Sequence, residues 1–295
     1  MLLPCSSFAA DLQKDLNALA SQYHGKVALF AKDLKTGQTV SIDADEPVQT
    51  ASVIKLPIMI EAFHQVKEGK LKLDQKITLT KDNQVPGSGV LQFMDPGLQL
   101  TLKDTVTLMI VLSDNTATNL MIDTVGVTNV NQRIAAMGLK NTYLYKKVFK
   151  PAGGPMPPDQ KKFGLGKTTA REMAEAMESV YRCDLGDKDL CKTMLDILQH
   201  QQDRDSIPRY LESGDTSEKP SAIANKTGSL DDVRNDVALV ETKAAPIVIS
   251  AFTWDNQDQR WMPENAAQVL IANMAKDIVA AWAPAGVKGP AAAKP

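Results

Sequence analysis

The sequence predicts an α/β (α+β) chain, with one antiparallel sheet completed by both ends and an all-helical subdomain interposed. Three observations carry this. Two strand-like runs, Val27-Ala28-Leu29-Phe30 and Thr39-Val40-Ser41-Ile42, stand near the start. Helical spacing of apolar residues then dominates residues 51–200. From Ser221 the period returns to that of strands and a single amphipathic helix closes the chain. The predicted division is therefore an α/β part built from residues 11–50 and 201–282, and a helical part between them.

Taken in order, residues 11–23 carry Leu12, Leu16 and Leu19 at helical spacing. Between the first two strands, residues 33–38 read as a hairpin turn. Residues 52–70 follow as a helix whose Ile54, Ile58, Phe63 and Val66 can face a core, with Pro57 expected to cost or kink a turn. Residues 102–112 and 117–125 predict two helices separated by Ser113-Asp114-Asn115-Thr116, and residues 129–137 a third, ended by Gly138. Residues 146–167 are rich in Pro, Gly and Lys, and a loop of that length inside a compact domain is functional or disordered. Thr168-Thr169 caps a helix with Met173, Met177 and Val180 on one face. Residues 187–200 form the next. Strands are predicted at 222–224, 233–241 and 246–254, and Pro263, Glu264 and Asn265 open the last helix, which runs to Trp282.

With 295 residues, 43% hydrophobic and 23% charged, the chain can bury a sizeable core. A formal charge of −2 gives no electrostatic case for nucleic acid or an anionic membrane, and a monomer is expected. No apolar run approaches the roughly 20 residues a bilayer span needs. His24, His64 and His200 share no metal-ligand spacing with the cysteines, so no metal is expected. Residues 1–10 read either as the tail of a secretory signal, which points to a periplasmic or secreted protein, or as a disordered N-terminus. Cys183 and Cys191 flank an acidic loop and read either as a disulfide or as two buried thiols. Residues 283–295 are Ala/Pro/Gly/Lys-rich and read as a disordered tail.

Three short motifs occur in one order: Ser52-Val53-Ile54-Lys55, Ser113-Asp114-Asn115 and Lys226-Thr227-Gly228. Each is weak alone; Lys35-Thr36-Gly37 repeats the third inside the hairpin turn. Ser52 and Lys55 lie one helical turn apart, where a lysine of lowered pKa can serve as base to a serine nucleophile. A capping Ser and a solvated Lys would share that spacing. Ser113 can relay a proton to a leaving group and Asn115 can recognise an amide, although Ser, Asp and Asn also form ordinary turns. Lys226 ends a strand and can bias Ser113, Thr227 can bind a carboxylate, and Gly228 can let substrate backbone approach. Arg234 reads either as a second carboxylate contact or as an edge-strand charge. Backbone N–H groups of Ser52 and Ser229 would form the oxyanion hole.

Together these motifs resemble those of the class A β-lactamases and penicillin-binding proteins. The resemblance spans roughly residues 12–282 and includes Pro86-Gly87-Ser88-Gly89-Val90-Leu91 and Thr168-Thr169-Ala170-Arg171-Glu172-Met173. It implies a two-lobed fold, a serine acyl-enzyme without cofactor, and β-lactam or peptidoglycan-derived D-alanyl substrates. Catalytic roles fall to Ser52, Lys55, Ser113 and Lys226, and substrate contacts to Asn115, Thr227, Gly228, Ser229 and Arg234. One family element is missing: the loop glutamate that activates the deacylating water. Counting forward from Asn141 puts Val148 at its position; counting back from Thr168 puts Gly153 or Gly154 there. Asp159 is the sole acid of residues 146–167. In this the chain is similar to class A-like penicillin-binding proteins of cyanobacteria. A readily acylated serine hydrolase with poor β-lactam turnover is expected. The alternatives are a working β-lactamase whose water is activated by Lys55 or Asp159, and a binding protein without turnover.

Overall fold

The structure, a computed structural model, describes residues 6–211 and 221–289. The leader-like residues 1–5, Cys5 among them, and the end of the tail lie outside the described residues. In chain order the strands are β1 (Lys26–Asp33), β2 (Thr39–Ile42), β3 (Val48–Gln49), β4 (Lys76–Thr78), β5 (Gln99–Thr101), β6 (Tyr143–Leu144), β7 (Gly166–Thr168), β8 (Ile223–Leu230), β9 (Val233–Glu241) and β10 (Pro246–Trp254). The helices are α1 (Ser6–Ser21), α2 (Lys55–Lys67), α3 (Leu102–Val111), α4 (Asn115–Val125), α5 (Val127–Ala136), α6 (Gln160–Phe163), α7 (Ala170–Arg182), α8 (Lys188–Gln199) and α9 (Ala266–Trp282).

Five strands form one antiparallel sheet in the order β2-β1-β10-β9-β8, so the first and last strands of the chain meet where β1 pairs with β10. Both faces of this sheet are covered. Along β9, Val237 and Leu239 enter a core shared with the helical region, while Ala238 and Val240 enter a second core beneath α1 and α9. That second core holds Leu12 and Leu16 of α1 against Ile271, Met274 and Ile278 of α9. On the opposite face α7 lies against β1, β9 and β10 and carries the helical region with it.

Helix α2 runs through the centre of that region with Leu56 to Phe63 buried without interruption, because helices surround it on all sides. Helix α2 nonetheless runs from Lys55 to Lys67 without a break at Pro57. Pro57 is the third residue of α2, where a backbone N–H has no intrahelical partner to lose. Strands β3, β7 and β6 make a small sheet, and β4 and β5 an antiparallel pair, neither foreseen in the sequence. Two or three residues are too few to show a period. The tail expectation fails over residues 283–289: Ala283 is buried, Val287 bridges Thr242, and Lys288 N donates to Glu241 O. These backbone bonds hold the segment down together with Ala283 and Val287, which pack on the core beneath α1 and α9. Helix α1 already begins at Ser6, within the segment resembling a signal.

Candidate active site

Ser52 lies on a 3₁₀ turn, Ala51–Ile54, which runs directly into α2, so Lys55 is the first α-helical residue. A 3₁₀ turn superposes residues i and i+3, which places Ser52 and Lys55 on one side. Ala51 and Ser113 both hold left-handed backbone, with φ of 43° and 52°. Such conformations cost of order 1–3 kcal/mol in a residue with a side chain and persist where the surroundings impose them.

Lys55 is fully buried, and its Nζ donates to Ser113 O at 2.6 Å, Ser113 Oγ at 3.0 Å and Asn115 Oδ1 at 3.0 Å. Three acceptors match the three N–H groups of an ammonium. A neutral amine has only two, so losing a proton frees a lone pair. Burial holds the Lys55 pKa well below the ordinary lysine value, and the neighbouring Lys226 charge adds to that against the opposing pull of Asp114. Lys226 reaches the same hydroxyl from the sheet, donating to Ser113 Oγ at 3.2 Å and to Thr227 O at 2.7 Å. Burial pushes it down to about 8, opposed by Asp203 and Asp236. Ser113 Oγ thus lies between two buried lysines. Ser52 Oγ has no hydrogen-bond partner among the described residues.

The middle residue of the second motif is the structural one. Asp114 is buried, caps α4 through Ala117 N and accepts from Val90 N and Leu91 N, fastening residues 86–91 to the start of the helix. Asn115 completes the junction by donating from Nδ2 to Pro86 O at 3.1 Å. Gly228 has a use different from the one its motif suggested. A Cβ there would lie 2.8 Å from Thr50 O and 2.9 Å from Ser52 N, so the glycine lets β8 press against the serine turn.

A cleft of about 520 Å³ brings together Ser52, Asn115, Val148, Phe149, Ser229 and Trp261. Arg234 does not line it. Its register on β9 gives it the parity of Ala238 and Val240, away from the helical region. There Nη1 donates to Val233 O at 2.8 Å, Nη2 to Arg260 O at 3.0 Å, and the guanidinium stacks on Trp261. A direct substrate contact from Arg234 is accordingly set aside.

On the opposite wall, the Asn119 carboxamide clamps Val148 by accepting from its N–H at 2.8 Å and donating to its carbonyl at 3.0 Å. Val148, 9% exposed, is the counted position that reaches the cleft. Gly153 and Gly154 line a separate cavity beside Tyr143 and Tyr145. Asp159 is elsewhere too, held by Tyr145 Oη at 2.8 Å and Lys167 Nζ at 2.7 Å, which removes it as a water activator. Part of the loop's basic character is structural, since Lys147 pairs with Asp123 and Lys167 with Asp159.

The sequence profile of the β-lactamase enzyme family matches residues 11–282. The chain belongs to this family. Among solved structures, a β-lactamase from Sphaerobacter thermophilus is 32% identical, with TM-score 0.78, covering 93% of this chain and 97% of that one. A glutamate-bearing mutant of PBP-A, solved as an acyl-enzyme with penicillin G, is 25% identical with TM-score 0.79, covering 92% and 96%. The β-lactamase of Bacillus licheniformis is 24% identical over 258 residues, 85% of this chain and 79% of that one. The chain is therefore a serine hydrolase acting on amide bonds, with the class A β-lactamase fold. In this β-lactamase-family chain, sequence reasoning passed over Asp114, Asn119, Phe149, Leu230 and Trp261. Asn119 was within reach: it stands four residues after Asn115, on the same side of α4.

Proposed function

We propose that Ser52 forms an acyl-enzyme with β-lactams or D-alanyl-type amides and esters, and that β-lactam esters leave it slowly. Ser52 Oγ attacks the carbonyl carbon and its proton passes to the Lys55 amine, directly or through Ser113. Backbone N–H groups of Ser52 and Ser229 receive the developing oxyanion. As the C–N bond breaks, Ser113 hands a proton to the departing nitrogen, with Lys226 beside it to bias the hydroxyl and, with Thr227, to meet the substrate carboxylate. Hydrolysis of the resulting ester needs a positioned, deprotonated water, and general-base help accelerates such a step by typically about 10²–10⁴-fold.

The observation that carries slow deacylation is Val148. It is clamped in the lining of the cleft that holds Ser52, and the cleft's lining carboxylate, Asp231, is on the sheet hairpin instead. Stopped-flow and intact-mass measurements with penicillin G should give a stoichiometric burst, one adduct, and a slow steady state. The adduct should vanish in Ser52→Ala, and Val148→Glu should raise the deacylation rate while leaving the burst near its original rate. Rapid multiple turnover by the unaltered protein would establish the second reading, a working β-lactamase. That reading draws on the 32% identity to the Sphaerobacter thermophilus enzyme, with Lys55 activating the water. We also place the protein outside the cytoplasm, because Cys183 and Cys191 are disulfide-bonded. Cell fractionation tests this, and recovery in the cytosol would refute it.

A further inference from the structure

We infer that a second cavity, behind the loop wall of the serine cleft, binds an oligosaccharide bearing N-acetyl groups, the sugar chain of a peptide-bearing glycan. The cavity, of about 770 Å³, is bounded by the α4–α5 junction, β6 and the loop after β6. Lys146 and Lys147 line both this cavity and the cleft that holds Ser52. The glycan's part as carrier of the acyl donor rests on the reading of Ser52 given above; binding of the sugar does not.

The cavity has an aromatic side and a rim of idle polar groups. The Tyr143 and Tyr145 rings lie 5.0 Å apart, tilted by 53°, with Tyr145 buried and Tyr143 half-buried. One face of a pyranose ring presents C–H bonds of slight positive charge, which suit the negative face of an aromatic ring. Val127 and Met156, both half-buried, offer apolar surface to an acetamido methyl. The Tyr143 and Thr128 hydroxyls, the Gln132 carboxamide and the Lys146 ammonium have no hydrogen-bond partner among the described residues. Thr128 and Gln132 are four apart on α5 and so share one side of it. Three of these four groups are neutral and can both donate and accept, as sugar hydroxyls and amides require. The carboxylate of the lining, Asp123, is spent on Lys147 Nζ at 2.9 Å and Asn83 Nδ2 at 2.9 Å. A purely apolar ligand would bury the neutral groups unpaired, and a cation would meet Lys146 with no free carboxylate to offset it.

The walls are held in place. Asn131 ties β6 to α5, donating to Leu144 O at 2.8 Å and accepting from Leu144 N at 2.8 Å. Tyr145 is fixed at both ends, its N–H on Leu165 O at 3.0 Å and its Oη on Asp159 Oδ1 at 2.8 Å. A site formed before its ligand arrives loses little conformational entropy on binding. Residues 146 and 147 run at once into Val148 and Phe149 of the cleft. One polymer can therefore lay its sugars on one side of this wall and its peptide on the other.

The test is titration of the full chain with N-acetylchitotetraose, read by calorimetry and by amide NMR, against cellotetraose, which lacks the acetamido groups. Cross-peaks of residues 126–132 and 143–145 should move while those of 51–55 and 226–230 stay. Cellotetraose should bind about threefold more weakly or worse. Tyr143→Ala should weaken N-acetylchitotetraose binding by about tenfold. Gln132→Ala, at an exposed position where folding is not at stake, should weaken it by about threefold. The penicillin burst should keep its rate in both variants. Binding by a protein that never acylates would support the site and refute only the acyl-enzyme reading. Absence of binding, equal binding of cellotetraose, or shifts centred on the serine cleft each overturns the inference. So does an affinity unmoved in both variants, or tighter binding of a polyproline peptide, the other ligand class that aromatic grooves take.

Discussion

Two buried lysines converging on one serine hydroxyl can hold at most a little positive charge in a place that water does not reach. The protein meets this by surrounding Lys55 with three oxygen acceptors and by lowering both pKa values, which eases the loss of a proton from either lysine. The sign of the pH dependence follows. Lys226 is lowered to about 8, so it is a cation below that pH and neutral above it. If its charge serves acylation, the acylation rate should fall as pH rises through about 8. Lys226→Arg keeps its proton throughout, because guanidinium holds it above about 12, and should lack that alkaline limb. Rates measured from pH 6 to 10 check this, and a limb that persists in Lys226→Arg assigns the titration to another group.

At the scale of elements, catalytic geometry depends on a strand pressed against a turn. Strand β8 reaches the Ser52 turn at Gly228, and Asn235 of β9 ties the approach to that turn by donating to Gln49 O at 2.9 Å. A methyl group at residue 228 must push the two apart. Gly228→Ala should cost about 1–3 kcal/mol in urea unfolding. It should also slow acylation by about 10²-fold, the penalty expected for a misplacement near 1 Å. Wild-type acylation in that variant would show that the contact yields. The loop across the cleft depends similarly on Asn119, whose two hydrogen bonds to Val148 are buried. Asn119→Ala should destabilise by about 1–3 kcal/mol through the groups it leaves unsatisfied, read from the same unfolding curves.

For the molecule as a whole, one sheet buried on both faces joins two cores, and the chain leaves and re-enters it through the helical region. The Cys183–Cys191 disulfide, eight residues apart in sequence, closes the passage from α7 to α8. A loop of that size contributes about 2–3 kcal/mol by restricting the unfolded chain. Replacing both cysteines by serine should lower the unfolding free energy by about that amount while acylation at Ser52 continues, because neither residue lines the cleft. An unchanged unfolding midpoint would mean that the loop is held by its other contacts.

Local pattern was enough for the alternation of strand and helix, the order of the three motifs, and the dismissal of Lys35-Thr36-Gly37. That segment is indeed a turn, with Asp33 Oδ1 accepting from the N–H groups of Lys35 and Thr36 at 2.8 Å each. Such features span a few residues, and their hydrogen bonds or periodic faces are written within that span. Arg234 was partly legible, since counting alternate residues along β9 groups it with Ala238 and Val240 on the face away from the serine. The rest needed the packed chain. Lys55 meets Ser113 across 58 residues and Lys226 meets it across 113, and the neighbours of Gly228 and Trp261 belong to other elements. No local periodicity encodes which distant side chains close around a group. Burial and the pKa values it sets are properties of that closure, so they arise only when the two cores pack.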